Sequence, residues 1–579
     1  MRSLRISAGT SVIAWLAGLW TIVAISLILL SVPASDSLIM SSLILVQAVT
    51  GTYIASYLVG ELAPVFKVTP PALVGIGLGI GTALAALTGA LATQLGVTGP
   101  VWLAPTALAA AHWVLNLREQ RSHNLSHLRK SELAGVVFGL FAGLASMRVG
   151  LRKLPLPFNE PALANNPDMV LFERLATVIG NIGVLNSSNF SSEIVQRYPH
   201  IFLSDGSIQY HWLAYGWAGQ LAASGSTASF AVLTRLVPVI TLVGVLLMVT
   251  NWVRNLDSSR FGPIIAAGVA VTGGYVGATT GALINLDSPS QTLSILWLTS
   301  LLFLVVAIGS GASTSWGFLI VTGVLSSAAL ASKASTGLVA FAGVMGITAF
   351  RLRGGYFRTL RLSFATSSGM AIAYLVFFRS PSPNTLRFLG IEDRASTGQG
   401  LDPFESPIGI ALGTLLLIAA IIPRWIGALW WSSQHESSRQ ESSWMTWALA
   451  LVGLAPIVFF AQGTNELWFA SAVGGPISPV VAAGFLVALR HLPSISWRLG
   501  IVAAGAILIP ITGLLWSTGP ASDGGLRPLS VLLPYVIGFG SSLVLANFSK
   551  SLRVADVVAS NVVLLTTVSL GGRLIVTLF

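Results

Sequence analysis

The chain has 579 residues, 54% of them hydrophobic and 9% charged, with a net charge of +11 and no cysteine. Its mean hydropathy is +0.80. Such a composition excludes an ordinary water-soluble domain, and the missing cysteines exclude loops stapled by disulfides. Nucleic acid is also excluded as the partner, because the basic residues are scattered through short gaps instead of gathered in one stripe.

Taken in chain order, apolar runs of about 17 to 25 residues begin near residues 11, 38, 71, 99, 133, 229, 262, 292, 313, 335, 360, 407, 444, 467, 499, 529 and 554, each long enough to cross roughly 30 Å of hydrocarbon as a helix. The fold class expected is therefore all-α, a polytopic transmembrane bundle of about seventeen spans, with thirteen to seventeen as the range. The first run, behind Arg2 and Arg5, is too long for a signal-peptide core and is read as a retained helix. With a cytoplasmic N-terminus, Lys and Arg concentrate in alternate gaps, among them Arg118, Arg121, Arg129, Lys130, Arg254, Arg260, Arg351, Arg353, Arg358, Arg361, Arg424, Arg439, Arg490 and Arg498. Small residues at Gly75/Gly79, Gly77/Gly81 and Gly273/Gly277/Gly281 are spaced for close helix packing. Span centres carry almost no charge, Arg573 being the clearest exception.

That phase leaves polar segments 151–228 and 379–406 on the outer face, of which 151–228 is much the longest. Within it, Asn166-Pro167-Asp168 starts a helix whose stripe of Leu171, Leu175, Val178, Ile179 and Ile182 predicts an amphipathic element lying on the membrane or on the bundle. Tyr210, His211, Trp212, Tyr215 and Trp217 open a second short helix, and the rings of Trp212, Tyr215 and Trp217 are expected at the headgroup layer. Asp168, Glu173, His200, Asp205, Tyr210, His211, Asp287, Lys333, Arg379, Arg387, Asp393 and Glu466 all fall on this one face. A one-sided collection of acids, histidines and cations suits a surface active site better than a permeation path.

The Asn166-Pro167-Asp168 helix start, the run from Asp205 to Tyr215, Ser332-Lys333-Ala334-Ser335-Thr336-Gly337 and Asn465-Glu466-Leu467-Trp468-Phe469 resemble segments of GT-C-type membrane glycosyltransferases. They are most similar to a group of large actinobacterial membrane proteins in that superfamily, over about residues 133 to 490. The resemblance implies sugar transfer from a polyprenyl-phosphate donor to a cell-envelope glycan or protein at the outer face of the plasma membrane. It implies a general base at Asp168, or, as in some members, a metal ligand there, which leaves a divalent metal ion open as cofactor. Simpler members carry the loop after their first span, whereas four spans precede it here. The implied organisation is an N-terminal extension (1–132), a GT-C-like core (133–378) and C-terminal helices (379–579).

The residues fit such chemistry. An acceptor hydroxyl attacking an anomeric carbon needs a carboxylate to take its proton. Cations must neutralise the departing phosphate, and Lys333, Arg379 and Arg387 are the candidates. Tyr210 and His211 are candidates for substrate binding, His211 by hydrogen bonding the phosphate or positioning the acceptor. Each has a plainer alternative: helix-start stabilisation for Asp168, snorkelling for Lys333, lipid contact for the arginines and anchoring for Tyr210. Glu173, about 140° further round the helix, is expected to be solvated or paired with Arg174. Glu392, Asp393 and Asp402 show no recognised metal-ligand spacing. The competing readings are a transporter or flippase of a lipid-linked substrate and a non-catalytic envelope scaffold.

Overall fold

The computed structural model describes residues 8–59, 66–97, 99–115, 125–151, 168–182, 187–197, 201, 208, 210–275, 283–286, 288–308, 315–378, 387–388, 407–434, 440–461, 467–518, 528–548 and 553–572. The chain enters through α1 (Ala8–Leu29), α2 (Ala34–Val59), α3 (Pro70–Gln94), α4 (Ala104–Leu115) and α5 (Lys130–Gly150). The long loop contributes α6 (Asp168–Ile182), α7 (Ser192–Arg197) and α8 (Leu213–Gly225). The bundle resumes with α9 (Ser229–Leu256), α10 (Gly262–Thr272), α11 (Pro289–Ala307), α12 (Trp316–Ser332), α13 (Ala334–Arg353) and α14 (Leu360–Phe377). It closes with α15 (Pro407–Ser433), α16 (Glu441–Phe459), α17 (Leu467–His491), α18 (Ile495–Thr518), α19 (Pro528–Phe548) and α20 (Val554–Leu570). A minimal ladder pairs β1 (Arg387–Phe388) with β2 (Phe460–Ala461), Arg387 opposite Ala461.

Among the described residues twelve helices are long and apolar enough to cross a membrane, and five more apolar helices are shorter. The chain is thus a multi-pass helical membrane protein. Every expected span start falls at or near one of these helices, but the full-length candidates number twelve, because α4, α10, α12, α19 and α20 offer only short apolar stretches. The small residues of α3 do act in packing: a methyl group at Gly51 in α2 would lie 1.8 Å from the carbonyl oxygen of Gly77. The Gly273 expectation is corrected. Helix α10 stops at Thr272 and Gly273 takes an extended conformation, so it ends a helix instead of lining one, while Gly277 and Gly281 lie outside the described residues.

Two further corrections follow from packing. Trp212, Tyr215 and Trp217 are 1%, 0% and 2% exposed, so they are core residues and not headgroup anchors. Helix α8 is sunk among α2, α3, α11 and α12, and its polar atoms find partners there. Trp217 Nε1 donates to Gln47 Oε1 at 3.1 Å, Gln220 Nε2 donates to the Gly89 carbonyl at 2.8 Å, and Trp102 Nε1 donates to Ser224 Oγ at 2.9 Å. Buried polar groups require such partners, and here they come from α2, α3 and the turn before α4.

Arg424, expected in an inner gap, instead sits inside α15 and is 0% exposed. Pro423 denies the Ala419 carbonyl its helical hydrogen bond, and the Tyr535 hydroxyl donates to that oxygen at 2.7 Å, which lets the helix run on through the proline. The span centres are therefore not charge-free.

Candidate functional site

Opposite ends of the bundle treat charge differently. At one end Arg254 pairs with Glu132 at 3.3 Å, Arg351 with Glu441 at 2.6 Å, and Arg490 with Asp257. Glu132 also accepts from Asn251 Nδ2 at 3.2 Å, and Arg351 donates to the Val305 carbonyl. These are the last turns of α9, α13 and α17 meeting the first turns of α5 and α16. At the other end lie the start of α6, the start of α8, the Lys333 turn, and the first residues of α11 and α17.

Helix α6 carries its predicted stripe inward. Leu171, Leu175, Val178 and Ile179 are buried, and α6 packs on α8 with Phe172 stacked on Tyr215, ring centroids 4.6 Å apart. That contact brings Asp168, in the first turn, to the aromatic cluster. Tyr210 leans on His211 at 3.9 Å between centroids and stacks with Tyr215 at 6.2 Å.

Lys333 is the single residue between α12 and α13, capping the first and starting the second. Its Nζ lies 4.5 Å from the centre of the Trp468 ring, at the start of α17. Its turn is tied to α11 by Ser332 Oγ donating to the Ser290 carbonyl at 2.9 Å, and Ser290 Oγ in turn accepts from Tyr215 at 3.0 Å. Ser335, in the first turn of α13, has a buried hydroxyl without a partner. A lysine, an unfilled hydroxyl and a helix N-terminus at one place favour an anionic group.

Burial holds the Lys333 ammonium down to about 8, against the opposing pull of Asp168. Burial, with Lys333 adding to it, pushes the His211 imidazole well below its usual range, so it is neutral at pH 7, and its Nε2 is buried without a hydrogen bond. Burial and the nearby Tyr210 push the Tyr215 phenol well above its ordinary value, keeping it a proton donor to Ser290.

Of the candidates from sequence, Asp168, Tyr210, His211 and Lys333 gather at this end, Asp168 within electrostatic reach of Lys333 and Tyr215. Arg387 is placed in the β1 ladder with its side chain outside the described residues, where Arg379, His200, Asp205, Asp287, Glu392, Asp393, Asp402, Glu466 and Arg573 also fall. Glu173 is corrected: it accepts from Thr177 at 2.7 Å and Ser229 at 3.2 Å, while Arg174 turns to the Asn189 carbonyl. Tyr215, Trp468, Ser290 and Ser335 were not singled out for the site, although all but Ser290 stand in the segments that carry the resemblance.

A divalent ion fits this set poorly. Among the described residues no three His, Asp or Glu side chains converge, and Asp168 has a lysine, Lys333, within electrostatic reach. Comparison with known proteins finds no family model, curated protein or solved structure that matches the chain.

Proposed function

We propose that the protein is a plasma-membrane glycosyltransferase of GT-C type, moving a sugar from a polyprenyl-phosphate donor to a cell-envelope acceptor. The observation that supports it most is the grouping of Asp168 and Lys333, distant in sequence, around one aromatic cluster at one end of the bundle. The arginine-rich opposite end is then cytoplasmic and the site extracytoplasmic, as the positive-inside rule requires.

In this reading the acceptor oxygen forms a bond to the anomeric carbon as the bond from that carbon to the phosphate oxygen breaks. Asp168 takes the acceptor's proton. The phosphate leaves with the electron pair, and Lys333, the Ser335 hydroxyl and the start of α13 meet its growing charge. Neutral His211 orients the acceptor hydroxyl, and Tyr210 with Tyr215 offers a ring face to the sugar. Membranes carrying the Asp168→Asn protein should bind donor and transfer nothing; full transfer by that variant refutes the assignment.

A transporter of a lipid-linked substrate has one observation in its favour. Arg424 is enclosed in α15, its three nitrogens without a hydrogen bond among the described residues, about 6.0 Å from the Tyr275 ring just beyond the break after α10. Interrupted helices beside a buried charge are a feature of transport sites. Flipping of labelled polyprenyl phosphate in proteoliposomes, lost in Arg424→Gln and kept in Asp168→Asn, would select this reading.

A further inference from the structure

A cavity of about 420 Å³ lies between α6, α8 and the start of α9, on the face of α6 turned away from Asp168. Its polar lining is Glu173, Thr177, Asn181, Ser226, Thr227 and Ser229. The volume falls within the range of small-molecule sites, about 300 to 1,000 Å³.

Its chemistry is specific. One oxygen of Glu173 accepts from Thr177 at 2.7 Å, and the Ser229 hydroxyl, 3.2 Å from the same oxygen and 2.8 Å from Thr177 Oγ1, has its one proton for either. The second oxygen has no hydrogen bond among the described residues. Thr227 adds a buried hydroxyl without a partner. Ser226, which ends α8 in the left-handed conformation at φ 50°, turns the chain so that this hydroxyl and Ser229 both border the space. Among the described residues no lysine or arginine lines the cavity, and Arg174, next to Glu173, is held elsewhere. A fixed carboxylate with no cation beside it repels phosphate, so the lipid-linked donor does not belong here. A carboxylate acceptor, an amide and several hydroxyls within a few ångströms match a ligand with many hydroxyls of its own.

We infer that this cavity binds a neutral, hydroxyl-rich molecule of monosaccharide size, a unit of the acceptor glycan set back along the chain from the one whose hydroxyl meets Asp168. Only the word acceptor rests on the transferase reading; the binding does not. The carboxylate oxygen left open on Glu173 takes hydrogen bonds from ligand hydroxyls, Thr227 and Asn181 complete the set, and the small side chains of Ala222 and Ala223 leave room for the ring.

The test is saturation-transfer NMR on the full-length protein in detergent, with a panel of neutral methyl glycosides of hexoses and pentoses. At least one should bind to the wild type. Ala223→Phe, which fills the space from an exposed position, should weaken binding more than tenfold, and Thr227→Val and Glu173→Gln by about three- to tenfold each, the loss of one hydrogen bond. Asp168→Asn should bind as the wild type does. Glycoside binding without any sugar transfer would retain this inference and remove the transferase reading. No binding to any glycoside, binding unchanged by Ala223→Phe, or binding confined to amine-bearing ligands and abolished by Glu173→Gln would each overturn it.

Discussion

The two ends of this bundle bury charge by opposite rules. At the arginine-rich end each buried carboxylate faces a guanidinium, and the pairs join helices far apart in the chain: Arg254 to Glu132, Arg351 to Glu441, Arg490 to Asp257. At the other end Lys333 rests on the face of Trp468, with the Asp168 carboxylate in electrostatic reach and no ion pair on the lysine among the described residues. A closed pair holds each charge against its opposite and ties two helices together; an ammonium resting on a ring face has room for an anionic group beside it. The comparison teaches that one bundle can hold charge in two ways, against an opposite charge at one end and against an aromatic face at the other.

It can be broken most severely at its two poles. Asp168→Asn should lower transfer by about 10²- to 10⁴-fold, the span of general-base catalysis, with the thermal unfolding midpoint unmoved, as checked by donor turnover and by scanning fluorimetry on the same sample. Arg351→Ala should do the reverse, costing about 3–5 kcal/mol by leaving Glu441 buried without its partner, and the double replacement Arg351→Met with Glu441→Leu should restore most of that in denaturant titrations.

The next test sharpens the contrast by pH. Because Lys333 is held down to about 8, it is charged below that value and loses its proton as pH rises through it, so binding of a polyprenyl phosphate should weaken above about pH 8. Asp168 is what raises this value against burial. Asp168→Asn should therefore move the fall in binding to lower pH, and Lys333→Met should flatten it. The smallest effect belongs to the ring: Trp468→Leu should weaken the same binding by a few-fold, matching a cation–π contribution of about 0.5–1 kcal/mol, in a titration at pH 7.

Much of the fold was readable from hydropathy. Each expected span start meets an apolar helix, and the stripe Leu171, Leu175, Val178 and Ile179 is buried as its spacing requires. What escaped depended on partners distant in sequence. Pro423-Arg424 reads as a helix end because proline removes a donor and arginine favours water; the helix continues because Tyr535 supplies the missing donor. Trp217 reads as a headgroup anchor until Gln47 accepts its indole proton inside the bundle. Glu173 reads as a surface acid beside Arg174, and only the approach of Ser229 and Thr177 makes it a wall of a cavity. Asp168 and Lys333 could be placed on one side by charge phase, but their common neighbourhood depends on Phe172 stacking on Tyr215 and on Ser290 bonding both Tyr215 and Ser332.

The anchoring of α8 also decides what can be removed from this protein. Its indole, amide and serine contacts all run to segments ahead of residue 104. A trimmed chain starting near residue 131 would keep every residue with a proposed chemical role, yet strip away the cradle in which the aromatic helix sits, leaving several donors and acceptors stranded in an apolar setting. The opening helices thus act as a keel for α8 and for the rings packed against it.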